Sequence, residues 1–174
     1  MNINLSPFPT LTTERLTLRK LNTKDADAIF YLRSNNIVNA HLDRAPAKTI
    51  QEAKDFIQKI KKILQNQEGV YWAIALNTND TLIGTICYYN FDLENNIAEI
   101  GYELNPTYHG QGIMQEAIKK VIDYGFETMQ LNAITAFPRI DNQSSIKVLN
   151  RNGFELNANE PAEDNYAVYV LKRG

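Results

Sequence analysis

The apolar positions of this chain change period several times, and each change marks an element. Residues 15–21, RLTLRKL, set Leu16 and Leu18 between polar neighbours and predict a short strand closing at Leu21. Thr23 then reads as a helix N-cap, with Ala26, Ile29, Phe30 and Leu32 giving a short helix over 24–34. Thr49 caps a second helix over 49–66, where Ile50, Ala53, Phe56, Ile57, Ile60, Ile63 and Leu64 follow the i, i+3, i+4 spacing. From residue 70 the period shortens. VYWAIAL (70–76), TLIGTICYYNFD (81–92) and the run Ile97 to Leu104 predict three strands in an antiparallel meander. The turns between them fall at 77–80 and 94–96, and Pro106 ends the third strand.

A long amphipathic helix is predicted over 111–127, with Ile113, Met114, Ala117, Ile118, Val121, Ile122 and Phe126 on one face. A strand at 131–137, a helix at about 142–152 and strands near 153–157 and 166–172 complete the chain. Stretches 35–48 and 157–165 read as surface loops. The order β-α-α-β-β-β-α-β-α-β-β implies a mixed α/β fold, with helices covering a central, mostly antiparallel sheet of about seven strands. The segment from 97 onward should be a right-handed crossover with parallel neighbours.

Composition narrows the function classes. With 174 residues and neither linker nor repeat, one domain over 1–174 is expected. Eighteen bases against twenty acids give a net charge of −2, which argues against nucleic acid or an anionic membrane as partner. No apolar run of membrane-spanning length and no basic leader occurs, so a cytoplasmic location is expected. Cys87 is the only cysteine, so no internal disulfide can form, and no Cys/His cluster offers a metal site.

Two segments carry chemistry. In EIGYELNPTYHGQGIMQ (99–115), a strand enters a loop with Gly110 and Gly112, and a helix starts there. Glycines at a helix N-terminus let unpaired amides approach an anion, and the helix dipole favours phosphate. Gln115 stands where a dinucleotide fingerprint needs glycine, and no Walker motif occurs. An ordinary glycine-rich turn is the alternative. In NQSSIKVLNRNGF (142–154), Asn142, Ser144 and Ser145 open a helix and Gly153 closes it; simple capping would explain all four, although both helix starts can also face one crevice.

Together these segments resemble the GNAT superfamily of acyl-CoA-dependent N-acetyltransferases. The opening LTTERLTLRKLNTKDADAI is similar to the start of the ribosomal-protein N-terminal acetyltransferase branch. AEIGYELNPTYHGQGIMQEAI matches the family's coenzyme A motif, and NQSSIKVLNRNGFE its Asn-x-x-Ser…Gly-Phe helix. With the closing strand pair, the resemblance spans about residues 10–172.

The resemblance implies a site. Amides around Gly110, Gln111, Gly112, Ile113 and Met114 would hold the pyrophosphate of acetyl-CoA, with His109 at the motif's leading position. Backbone groups of Tyr102, Glu103 and Leu104 would pair with the pantetheine arm, which requires the sheet to splay between its fourth and fifth strands, 97–104 and 131–137. Asn142 would bind the pantetheine, and Ser145 would lie near the thiol. His109 and Met114 depart from the usual motif, and Leu149 stands where many relatives carry a tyrosine as general acid, leaving Ser145 as the proton donor.

The acceptor is expected to be a primary amine, and it attacks only when neutral. A lysine side chain of pKa ~10.4 is about 0.1% neutral near pH 7.4, an α-amine of pKa ~8 about 20%. Glu99, where several family members keep a catalytic glutamate, is the expected base; Glu103 shares its strand face and could serve instead. A solvated or ion-paired carboxylate is the plainer alternative for both.

Other residues bear on the acceptor side. His41 is expected on the surface or the substrate rim, and Cys87 as a buried small hydrophobe, against an acyl-cysteine route. Tyr88 and Tyr89 must point to opposite faces. Tyr31, Arg44 and Trp72 could bound the acceptor pocket, although core and surface positions are preferred for each, and Glu160, Glu163 and Asp164 either give it an acidic rim or are solvated turn residues. The expected activity is therefore acetyl transfer from acetyl-CoA to an amine, a protein N-terminus or a small molecule, by a monomer or homodimer without a metal. A coenzyme A-binding regulatory module without catalysis is the competing expectation.

Overall fold

The computed structural model of the protein describes residues 1, 3–160 and 164–174. Its strands are β1 (Leu11–Thr12), β2 (Leu16–Lys20), β3 (Val70–Leu76), β4 (Leu82–Asp92), β5 (Ile97–Leu104), β6 (Ala133–Ala136), β7 (Glu155–Leu156) and β8 (Tyr169–Lys172). The helices are α1 (Ala26–Ser34), α2 (Asn36–Asn39), α3 (Ile50–Gln65), α4 (Ile113–Asp123) and α5 (Gln143–Arg151). All the described strands lie in one sheet, ordered β1-β2-β3-β4-β5-β6-β8-β7. Each pair of neighbours is antiparallel except β5 and β6.

Period-2 alternation divides the core between the two sheet faces. Leu16, Leu18, Trp72, Ile74, Ile86, Tyr88, Ala98, Ile100 and Leu104 pack with α4, Leu149 of α5 and Leu5 of the N-terminal segment. Ala73 and Leu82 belong instead to a second cluster, with Leu21, α1 and α3. Tyr88 and Tyr89 do face opposite ways: Tyr88 is fully buried, whereas Tyr89 reaches a cleft. Trp72 is a core residue whose indole N–H donates to the Pro9 carbonyl at 2.6 Å, so it does not bound the acceptor pocket.

Several expectations need correction. Asn22, not Thr23, is the cap; it accepts from the Lys24 amide in a capping box with Asp25 and opens a 3₁₀ turn over Thr23–Asp25 before α1. The loop 35–48 contains α2, because Asn35 accepts from the amides of Ile37 and Val38. β1 is an added edge strand pairing Leu11 with Leu18. The long helix ends at Asp123 and finishes in a π turn, Tyr124–Thr128. There the Tyr88 phenol donates to the Val121 carbonyl at 3.0 Å, an acceptor the α ladder would give to Gly125. A Cβ at Gly125 would lie 2.6 Å from that phenol oxygen, so only glycine fits the turn.

The expected splay is present. The parallel β5–β6 register runs from Ile97↔Ala133 through Ala98↔Ile134 to Glu99↔Thr135. Beyond Glu99, β5 continues to pair with β4 alone, as far as Gly84↔Leu104. β6 stops one residue before Phe137–Pro138, where proline has no N–H to continue a ladder. The free edge of β5 from Ile100 to Leu104 is thereby exposed to a ligand.

Candidate active site

A cleft of about 420 Å³ opens at this splay, within the range of small-molecule sites. It is lined by β5, the loop before α4, the start of α5 and the loop after α2.

The α4 end of the cleft is built from backbone. Gly110 and Gly112 both take φ +73°, a left-handed conformation that favours glycine. The first i→i−4 bond of α4 runs from the Glu116 amide to the Gly112 carbonyl at 3.1 Å. The amides of Ile113, Met114 and Gln115 precede it and are the free donors of the helix start. Ile113 and Met114 bury their side chains in the core, so they can contribute only these amides. The loop is braced by its own polar groups: the His109 Nε2 lies 3.1 Å from the Leu104 carbonyl, and Gln111 donates to the Thr107 carbonyl at 3.0 Å.

Arg15 clamps this loop from the start of β2. Its Nε reaches Glu116 Oε2 at 2.7 Å and its Nη1 the Gln111 carbonyl at 2.9 Å. Glu116 also accepts from the Thr13 hydroxyl at 2.6 Å and the Arg15 amide at 3.0 Å. Burial pushes the Glu116 carboxyl up, but these donors and the guanidinium charge together hold it below the usual glutamate value.

The opposite wall of the splay is α5. Asn142 caps it, its Oδ1 accepting from the Ser145 amide at 3.1 Å and the Ser144 hydroxyl at 2.9 Å. That oxygen is therefore engaged, which leaves the Asn142 amide nitrogen for a ligand. The Ser145 hydroxyl sits 2.8 Å from the phenol oxygen of Tyr102, which crosses from β5. Leu149 is fully buried in the core.

The acceptor-side face of β5 presents Glu99, Gly101 and Glu103 in alternation. Tyr89, directly opposite Glu99 in the β4–β5 register, donates its phenol O–H to Glu99 Oε1, and the Asn90 side chain donates to Oε2 at 2.8 Å. Glu103 is differently placed. Its side chain is 8% exposed, and Arg44 binds it at 2.6 Å while its own Nε is held by Asn39 at 2.6 Å. A Cβ at Gly101 would meet the Tyr89 ring at 3.1 Å and the Cys87 sulfur at 3.2 Å, so glycine here lets both side chains lie across the strand. Cys87 donates to the Gly101 carbonyl, and burial pushes its thiol up to about 12.

The mouth beyond Glu99 is largely apolar. Ile37, Leu42 and Phe137 are exposed and line it. Its charged groups pair with one another: His41 with Asp141 at 3.3 Å, Tyr166 with Asp43 at 2.7 Å, and Arg139 with Asp141 at 3.2 Å. Of the two readings of the acidic loop, its described carboxylates follow the solvated one. Glu160 and Asp164 are exposed and do not line the cleft, and Glu163 lies outside the described residues. Tyr31 is half-exposed and also stands outside the lining, whereas His41 is at the rim.

Residues 15–155 match the family model described as an acetyltransferase (GNAT) domain. The chain belongs to this family. It is 38% identical over 146 residues to the uncharacterized N-acetyltransferase p20 of Bacillus licheniformis, covering 84% of this chain and 82% of that protein. The ribosomal-protein-serine acetyltransferase of Escherichia coli is 31% identical over 108 residues, 62% of this chain and 60% of its own. The crystal structure of a GNAT-family acetyltransferase from Bacillus anthracis superposes with a TM-score of 0.80 at 23% identity, covering 94% of this chain and 98% of that one. The protein is thus an acetyl-CoA-dependent GNAT acetyltransferase that acts on an amine.

Within this GNAT fold Glu99, Ser145 and the residues assigned to coenzyme binding border this cleft, except Gln111, whose carbonyl is taken by Arg15. Arg15, Tyr89 and Asn90 were missed as site residues, and Arg44, considered only as a pocket wall, proves to be the partner of Glu103. Tyr89 left a partial sequence signal, since at most one member of its tyrosine pair can line a cleft. Among the described residues no group of three His, Cys, Asp or Glu side chains could hold a metal. No helix among them is long and apolar enough to cross a membrane.

Proposed function

We propose that the acceptor is a protein N-terminal α-amine and that acetyl transfer occurs by direct attack in a ternary complex. Glu99 carries this reading. It is a carboxylate lining the cleft, at the last paired position before the splay. The amides of Gly112 to Met114 hold the pyrophosphate, with Arg15 adding positive charge 3.6 Å from where a Gly112 Cβ would stand. The free edge of β5 takes the pantetheine as an added strand. Glu99 accepts the amine proton, directly or through a water, and Ser145 donates a hydrogen bond to the leaving sulfur.

Glu103 is the weaker base, because its carboxylate already neutralises Arg44. The reading is supported by the similarity to a ribosomal-protein-serine acetyltransferase and by the low demand an α-amine makes on a base. A small-molecule amine is the second reading, favoured by a mouth whose charges are mutually paired.

An acceptor screen tests both. The protein is mixed with acetyl-CoA and peptides bearing free Ala, Ser or Met N-termini, with polyamines and amino acids alongside, and free thiol is measured. Release that requires a free peptide N-terminus supports the proposal. Release with small amines alone supports the second reading. Binding of acetyl-CoA with no acceptor-dependent release makes the chain a coenzyme-binding module.

A further inference from the structure

Leu149 creates a chemical deficit that β5 can make good. Where the helix offers no phenol, the strand sends one: Tyr102 reaches Ser145 across the splay, its oxygen 2.8 Å from Oγ and 3.4 Å from the Ser145 carbonyl. Either oxygen can donate in the shorter contact, and the phenol is the more acidic hydroxyl, which favours Tyr102 as donor and Ser145 as acceptor. Burial raises the Tyr102 phenol to about 12, so it remains protonated at neutral pH. With its lone pair engaged, the serine must turn its own O–H elsewhere. Both hydroxyls line the cleft, beside the β5 edge left free beyond Glu99.

We propose that Tyr102 is a positioning residue whose phenol orients the Ser145 hydroxyl so that its proton points at the departing sulfur. The inference rests on the acetyltransferase reading of the cleft. The amine nitrogen forms the new bond to the acetyl carbon, and the carbon–sulfur bond breaks with its electron pair going to sulfur. Sulfur leaves as a thiolate stabilised by the Ser145 O–H, and the amine proton goes to Glu99. The thiolate is protonated by water on release. Tyr102 touches no reacting atom and neither gains nor loses a proton.

The test compares wild type, Tyr102→Phe, Ser145→Ala and the double variant, each checked for an unchanged thermal midpoint. The expected result is that kcat falls about ten- to hundredfold in either single variant, as for loss of a hydrogen bond to a charged group. KM for acetyl-CoA should stay within about twofold, and the double variant should be no slower than Ser145→Ala. A second measurement needs no acceptor. The thiol pKa of bound coenzyme A is read from ultraviolet thiolate absorbance, with the desulfo-coenzyme A complex as reference. It should rise in both variants.

An unchanged kcat and thiol pKa in Tyr102→Phe overturns the proposal, as does an additive loss in the double variant. A lower KM at full kcat also overturns it and makes the contact a latch that coenzyme must break. A wild-type protein that binds no coenzyme A fails in a distinguishable way, because the acetyltransferase reading of the cleft then falls first, and this inference with it.

Discussion

Tyr89 and Glu99 stand opposite each other across β4 and β5, and the tyrosine hydroxyl donates directly to the glutamate carboxylate. Burial, and then the Glu99 bond, raise the Tyr89 phenol well above its ordinary value, so it acts as a fixed donor and not as an acid. With Asn90 on the other oxygen, the carboxylate is held in one orientation at the mouth of the splay. Each carboxylate oxygen has a second lone pair, so a substrate proton can still be received.

Glu99→Gln is therefore expected to cut kcat roughly a hundredfold at pH 7, the low end of general-base effects, with acetyl-CoA affinity unchanged. The loss should shrink as pH rises past about 8, where an α-amine is neutral without help. Tyr89→Phe should give a smaller loss with the same pH trend. Steady-state rates between pH 6 and 9.5 check this, and an equal loss at every pH would remove Glu99 as the base.

A different carboxylate governs the acid limb of stability. The donors from Thr13 and Arg15 hold Glu116 below the usual glutamate value despite its burial. A depressed folded pKa stabilises above the unfolded value, near 4.3, and that stability is lost as pH falls through the folded value. Glu116→Gln should thus lower the thermal midpoint at pH 7 and flatten its fall below about pH 4. Because the same side chain anchors Arg15 over the glycine loop, KM for acetyl-CoA should also rise several-fold.

Much of this frame was legible because it is local. The bounds of β3 follow from a short apolar run closed by turn residues, those of β5 from alternation, and the Thr49 cap of α3 from its hydroxyl. The glycine loop announces itself by residue type and spacing, and Ser145 by the resemblance of its helix to the family's motif. What was not legible depends on contacts between distant segments. Arg15 meets Glu116 across a sequence separation of 101 residues, and Arg44 meets Glu103 across 59. The π turn needs Tyr88 beneath Gly125, a tertiary contact that overrides a regular apolar helix period. For the acidic loop at 157–165 the rim and the solvated turn were both open, since charge in a sequence does not say which way a side chain faces, and Glu160 and Asp164 take the solvated reading.

The thiol of Cys87 is closed to chemistry by its surroundings. Burial pushes it up to about 12 and outweighs the hydrogen bond from Tyr71. It should react with dithiobis-nitrobenzoate only after unfolding. Cys87→Ala should retain turnover, with initial-rate patterns in both substrates that intersect. Parallel patterns, or a labelled acetyl group on the native protein, would restore an acyl-enzyme route.

Glu103 separates structure from catalysis most sharply. Its side chain is nearly buried against Arg44, which is itself fixed by Asn39, with the charge of Arg33 nearby. Arg33 is half-buried, and burial first, then repulsion from Arg44, lowers its pKa. Arg44→Met leaves the glutamate without its direct partner, at an expected cost of about 3 kcal/mol, since breaking a buried pair strands a charge. Glu103→Gln in the same chain should recover most of that loss, because the stranded charge is gone. Chemical denaturation of the two single variants and the double variant measures the coupling. The assay then assigns the role. If Glu103→Gln keeps kcat within about threefold while Glu99→Gln does not, Glu103 serves to dock the α2 loop onto the sheet and Glu99 alone is the base. A larger loss at Glu103 would reverse that assignment.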